Sequence, residues 1–225
     1  MSKDILRKRA IELRNKGLSY SEILKEIDVA KSTLSLWLRS VGLSKPQKQR
    51  LTEKKIAGQR RAADAKREQR ITKSDAIKKL AHGEVSKLIH DPFWLTGTIL
   101  YWGEGTKQKE WRVSEKASFT NMDVDSLRIF ISWAKKYLHL ENNRFVYDVY
   151  IHQTADINKA KKYWSDQFHI PQDSLRIYFK KHNLNPKRKN IDAEYHGVCK
   201  IKVTKSTDLN RRIAGWIEGV IEYLR

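Results

Sequence analysis

The least polar run of the sequence, Phe93 to Gly105, ends in a single carboxylate, Glu104, held between Gly103 and Gly105. An acid there is presented to whatever lies beyond the helix end, and it is equally an ordinary polar terminus beside a helix-stopping glycine. A second group of chemically capable residues lies near the other end of the chain, where Lys200 and Lys202 alternate with Cys199, Ile201 and Val203. Alternation of period two puts both ammonium groups on one strand face and the apolar side chains on the other. The preceding loop adds Lys187, Arg188 and Lys189. A third group, Lys31, Ser32, Thr33, Ser35 and Arg39, accompanies a helical stretch whose Leu34, Trp37 and Leu38 recur at i, i+3 and i+4. One cysteine, Cys199, rules out an internal disulfide and a cysteine-rich zinc site, and the seven histidines contain no ligand-like pair at helical spacing. His152 reads as an ordinary surface or core histidine.

Charge narrows the partner. With 46 basic against 26 acidic residues the net charge is +20 over 225 residues, a field that attracts polyanions and gains from counterion release. Nucleic acid is therefore the first partner to consider. No apolar run reaches the roughly 18 residues of a membrane helix, and Met1-Ser2-Lys3-Asp4 lacks the apolar core of a signal peptide. The expectation is a soluble, cytoplasmic, nucleoid-associated protein without a membrane partner. Three segments follow from charge and pattern: 1–44 at net +4, 45–90 at +9 and 91–225 at +7.

The elements that position these groups can be read in order. A first helix ends near Gly17. Ser19-Tyr20-Ser21-Glu22 has the spacing of a capping box, which opens a second helix burying Ile23, Leu24 and Ile27. A short break at 28–30 precedes the third helix, Lys31 to Arg39. From Lys45 to Lys79 the composition favours one or two helices with almost no apolar stripe. That segment is either a solvated spacer or a rod laying Arg60, Arg61, Lys66, Arg67 and Arg70 along phosphates. Asp91 and Pro92 supply the start of the Phe93–Gly105 helix, and small residues at 96, 97 and 98 leave room for another backbone. Beyond it, helix and strand periods alternate. Strands are expected at 112–120, 145–151, 175–181 and 198–203, with helices over Leu127–Leu138, Ile157–Phe168 and Leu209–Leu224. The class is α+β: an all-α N-terminal domain, a basic helical linker, and a C-terminal domain with helices on one face of an antiparallel sheet.

Two resemblances rest on these residues. The pair of short helices with a tight turn, ending in Trp37-Leu38-Arg39, resembles the helix-turn-helix domains of resolvases, transposases and many repressors. That likeness implies groove-facing roles for Lys31, Ser32, Thr33, Ser35 and Arg39. Leu36 departs from it, as an apolar residue on the same side. The stretch Phe93–Gly105, followed by Ser118-Phe119-Thr120-Asn121-Met122-Asp123 and an amphipathic helix, resembles the signature of the LAGLIDADG homing endonucleases, with Gly97 seven residues before the acid instead of five. This likeness covers residues 93–225. It implies an α/β sandwich, a homodimer giving one helix and one Glu104 per subunit, Mg²⁺ held by the paired acids, and a sheet face on which Lys200, Lys202, Tyr150 and His152 meet DNA. Ile213-Ala214-Gly215-Trp216-Ile217-Glu218-Gly219 looks like a second signature but has no sheet after it, and reads as the closing helix.

Three functions are then open. The first is sequence-specific recognition of double-stranded DNA; the second is divalent-metal-dependent DNA cleavage, with Glu104 catalytic and Lys200 or Lys202 neutralising phosphate; the third is RNA binding. Most Trp residues sit at core spacing, which argues against stacking platforms for RNA.

Overall fold

The computed structural model describes residues 3–43, 45–109, 111–179 and 195–225. Lys187, Arg188 and Lys189 lie outside them. The chain is mixed α+β and divides into two units, Met1–Arg70 and Ile71–Arg225, so the division falls inside the segment read as a linker.

In the first unit, α1 (Lys3–Asn15), α2 (Tyr20–Glu26) and α3 (Lys31–Trp37) enclose Ala10, Leu13, Ile23, Ile27, Leu34 and Leu38. Each large aliphatic side chain buried this way contributes about 1.5–3 kcal/mol. The capping box is present: Ser19 Oγ accepts from the Glu22 amide at 3.2 Å, and Glu22 accepts from the Ser19 amide at 2.7 Å. Gly17 takes φ +90°, a left-handed turn that a side chain would strain. Of the expected one or two helices the chain forms one, α4 (Lys45–Leu88). Its first turns are fastened to this unit, Arg50 donating to the Gly17 carbonyl at 2.7 Å and Lys54 to Glu22 at 2.5 Å.

The second unit begins with the later turns of α4 and continues through α5 (Pro92–Glu104), β1 (Ser118–Asn121), α6 (Val124–Leu138), β2 (Phe145–Ile151), α7 (Ile157–Phe168), β3 (Arg176–Phe179), β4 (Val198–Val203) and α8 (Thr207–Tyr223). The strand order is β1-β4-β2-β3. β4 is antiparallel to both neighbours, but β3 runs parallel to β2, so the expected antiparallel sheet is in fact mixed. The cause is α7: a helical crossover returns the chain to the same end of the sheet, and the next strand must then run parallel. The first expected strand is also shorter, because residues 113–114 form a turn and 115–117 have no regular structure before β1 begins at Ser118.

On the covered face of the sheet, Phe119, Ile201, Cys199, Val149 and Ile151 are fully buried. Cys199 carries a free thiol, and its burial pushes the thiol pKa well above the ordinary range. Above that face Trp94 of α5, Trp133 of α6 and Trp216 of α8 meet edge to face at 5.7 and 5.8 Å, with Tyr101, Phe130 and Phe119 stacked beside them. Gly97 gives this cluster its room. A Cβ there would stand 2.2 Å from the Trp133 ring, so the small residue admits an indole of the same chain where the sequence suggested a partner backbone. Asp91 caps α5 as expected, accepting from the amides of Phe93 and Trp94 at 3.0 and 3.3 Å.

The signature-like stretch in α8 works inside the unit. A Cβ on Gly215 would lie 2.4 Å from the Lys78 carbonyl, and one on Gly219 2.6 Å from Val85, so the two glycines let α8 close on the later turns of α4. Glu84 accepts from Arg212 and from the Trp216 indole, while Lys73 and Lys78 pair with Asp208 and Glu218. With Ala81 and Val85 buried, this part of α4, beyond the Lys45–Lys79 stretch read as spacer or rod, is core.

Candidate nucleic-acid interface

Alternation on four strands produces the open face of the sheet. In register, Thr120, Lys200, Asp148 and Arg176 form a row across β1, β4, β2 and β3, with Ser118 and Lys202 on one side of it and Tyr150 and Tyr178 on the other. The two tyrosines stack with centroids 5.2 Å apart. Burial raises the pKa of the Tyr150 hydroxyl, which keeps it a neutral donor.

Asp148 is the one acid of this row, and it is completely buried. Lys202 forms an ion pair with it, although neither carboxylate oxygen has an aligned hydrogen-bond donor among the described residues. A carboxylate in that setting depends on the ammonium for compensation. Lys202 therefore spends much of its charge inside the face, whereas Lys200 makes no ion pair among the described residues and is the more available cation.

Lys200 also joins the sheet to the loop between α5 and β1. One cavity of about 310 Å³ is lined by Arg112, Ser114, Glu115, Lys116 and Ser118 with Lys200 and Lys202. An adjoining cavity of about 370 Å³ is lined by Thr106, Lys107, Lys109, Trp111, Arg112 and Lys200 among others. Among the described residues, cations outnumber carboxylates in both linings, where Glu115 is the acid. Such a concave, positively charged surface holds phosphate oxygens without reading sequence. Sequence reasoning supplied Lys200 and Lys202 and missed Lys107, Lys109, Arg112, Lys116 and Arg176. Lys107 and Lys109 belong to no expected element, Arg112 and Lys116 lie on the polar side of the strand expected at 112–120 without being singled out there, and Arg176 could have been found from the strand alternation once β3 was paired with β2.

Glu104 is exposed at the last turn of α5 and lines neither cavity. Its helix has two sides. Trp94, Gly97, Thr98 and Tyr101 face the unit's own core, while Thr96, Ile99, Trp102 and Gly103 are exposed, with open space around Gly103. Gly105 ends α5 in an extended conformation, close enough to the Tyr101 ring that a Cβ would meet it at 2.6 Å. Among the described residues no three His, Cys, Asp or Glu side chains come together as a metal-holding group. One chain thus offers a magnesium ion a single hard carboxylate at this position, a donor type that suits the ion.

In the first unit, Lys31, Ser32, Ser35 and Arg39 are exposed and Thr33 is half-buried. The helix carrying them ends at Trp37, so Arg39 follows it and does not belong to its last turn. Leu36 is 70 % exposed beside Ser32 and Ser35 and packs on nothing that hides it. On α4, Arg60, Arg61, Lys66 and Arg67 are exposed and Arg70 is half-buried. His152 is half-buried, 5.7 Å from the Tyr195 ring. None of the helices described is long and apolar enough to cross a membrane. No protein-family profile, curated protein or solved structure matches this chain.

Proposed function

We propose that the protein binds double-stranded DNA, with the second unit gripping the phosphate backbone and the first reading bases. The observation that carries this is the open sheet face, where Lys200, Arg176 and Lys202 stand beside a loop supplying Arg112, Lys116, Lys107 and Lys109, in a chain of net charge +20. In the first unit the fitting feature is a short helix behind a capping-box helix, whose outer side presents Lys31, Ser32, Ser35 and Leu36 to solvent. A helix-turn-helix uses such a side in the major groove, where hydroxyls and ammonium groups meet base edges and an apolar residue meets a thymine methyl. The test is duplex binding measured against salt. Replacing Lys200 by Ala should flatten the plot of log affinity against log salt by about 0.9, the loss of one phosphate contact, on every sequence alike. Replacing Ser32 and Ser35 by Ala should weaken a selected site and spare random duplex. An unaltered slope in the first variant, or equal losses on both duplexes in the second, refutes the corresponding role.

A second reading, metal-dependent DNA cleavage, is favoured by one observation: Glu104 is exposed at the tip of a helix whose Thr96, Ile99 and Gly103 form an uncovered stripe. Two copies packed along that stripe bring two Glu104 carboxylates together, which would hold Mg²⁺, an ion able to activate water and stabilise a leaving oxygen. Lys200 and Lys202 would contribute by neutralising phosphate. Incubation of plasmid DNA with protein and Mg²⁺ or Mn²⁺ tests it: cleavage lost in Glu104→Gln supports the nuclease, and binding with uncut DNA in the wild type leaves the binder.

A further inference from the structure

The loop between α5 and β1 is closely pinned at its base. Thr106 donates its amide to the Ser118 carbonyl at 2.9 Å and its hydroxyl to the Lys116 carbonyl at 2.8 Å, and the Ser118 amide donates back to the Thr106 hydroxyl at 2.9 Å. The loop is also tied to α8: Asn210 donates to the Glu115 carbonyl at 3.2 Å, Gln108 to the Thr207 carbonyl at 3.3 Å, and the Ala117 amide to Ser206 at 2.8 Å. At its far end the Arg112 amide closes a turn on the Lys109 carbonyl at 2.8 Å. The loop is thus anchored at its base, and Trp111 stands beside the turn that Arg112 closes on Lys109.

Trp111 is 79 % exposed, in a protein whose fully buried residues include four other tryptophans. An indole left in water forfeits the burial that normally stabilises it, and its amphipathic ring offers a flat apolar face to a ligand. Its surroundings name the ligand. Lys109 Nζ lies 5.3 Å from the ring centroid, and Arg112, Lys107 and Lys200 line the same cavity as the indole, with Glu115 the acid among the described residues there. Cations in a groove together with an exposed aromatic face are the two components by which proteins hold an unstacked nucleobase: the charges track the backbone and the ring takes the base.

We propose that Trp111 is a base-stacking residue, so that nucleic acid lying along the cleft of Lys107, Lys109, Arg112 and Lys200 presents one unpaired base to the indole. This deepens the DNA-binding reading and rests on it for the phosphate contacts. The preferred ligand is then a duplex with an unpaired nucleotide, and Lys109 and Arg112 fix the backbone on either side of it.

The experiment uses the full chain, a labelled continuous duplex, and the same duplex carrying one unpaired 2-aminopurine. Anisotropy gives affinity for both, and 2-aminopurine emission reports stacking. Wild type should quench the probe and bind the interrupted duplex more tightly. Trp111→Ala should lose about tenfold in affinity for the interrupted duplex and leave the emission unquenched, because stacking on an aromatic carries that much per base. Its affinity for continuous duplex should move by no more than about twofold, as for a surface substitution. Trp111→Phe should recover most of both signals. Unchanged quenching in Trp111→Ala, or equal losses on the two duplexes, overturns the stacking role. A wild type that ignores continuous duplex but binds the interrupted one through Trp111 would overturn the duplex reading and keep the stack; binding to neither would end both. Since Trp111 is exposed, unaltered thermal melting of the variants separates these outcomes from misfolding.

Discussion

Gly97→Ala is the substitution on which the packing of the second unit can be judged. The added methyl would stand 2.2 Å from Cδ1 and Cγ of Trp133, far inside van der Waals contact. Trp133 has no room to yield: it is fully buried, is wedged against Tyr101, Phe130 and Trp216, and donates its indole N–H to the Trp94 carbonyl at 3.2 Å. Overpacking of this sort costs about 1–3 kcal/mol, and a rigid ring places the expectation at the upper end. For a chain of this size each kcal/mol lowers the melting temperature by about 2–4 °C, so a fall of about 6–12 °C is expected. Gly83→Ala is the matched control, since a Cβ there meets nothing within 4 Å on α4. Replacing a helical glycine by alanine at a free position stabilises by about 0.5–1 kcal/mol. One methyl therefore acts in opposite directions at two glycines of the same unit. Urea unfolding followed by far-ultraviolet circular dichroism and indole fluorescence measures both. If Gly97→Ala melts at or above the wild-type temperature, α5 does not pack on Trp133, and Gly97 regains the role of a contact with a twin helix.

Gly215→Val should destabilise the same unit by several kcal/mol, because the Lys78 backbone 2.4 Å from the new Cβ cannot retreat without parting α8 from α4; full stability in urea would contradict that contact. Asp148→Asn releases Lys202 from its buried partner, so the salt dependence of duplex binding should steepen by up to about 0.9, and an unchanged slope would mean that Lys202 is not restrained by Asp148. In the first unit, the hydrogen bond from Lys54, followed by those at Ser19, lowers the Glu22 pKa from 4.5 to about 2. The folded carboxyl is thus the stronger acid: its contribution is complete above pH 4.5 and disappears as pH falls toward 2. Lys54→Met should remove much of that acid-range dependence from the melting of the first unit, and an identical pH profile would refute the pairing.

Local signals in the sequence translated well into structure where one or two neighbouring residues decide the outcome. Ser19 with Glu22, and Asp91 with Pro92, mark helix starts because capping is settled within three residues. The alternation in Phe145–Ile151 and Val198–Val203 located β2 and β4 and placed Lys200 and Lys202 on one face. What stayed hidden was non-local. Parallel pairing of β3 depends on the path of α7, and Gly97 could not declare whether a backbone or an indole would fill its space. The burial of Ala81 and Val85 depends on Gly215 and Gly219, some 130 residues on, which let α8 close on that side of α4. Lys107, Lys109 and Trp111 belong to no periodic stretch, so their convergence with Lys200 appears only in three dimensions.

Cys199 gives experimenters a built-in clock. As the single sulfhydryl of the protein, enclosed on an inner strand and held in its unreactive protonated form, it ignores a thiol reagent until the surrounding core opens. The rate at which a chromogenic disulfide modifies it under native conditions consequently times how often the core between sheet and helices opens, with no label or engineered probe required.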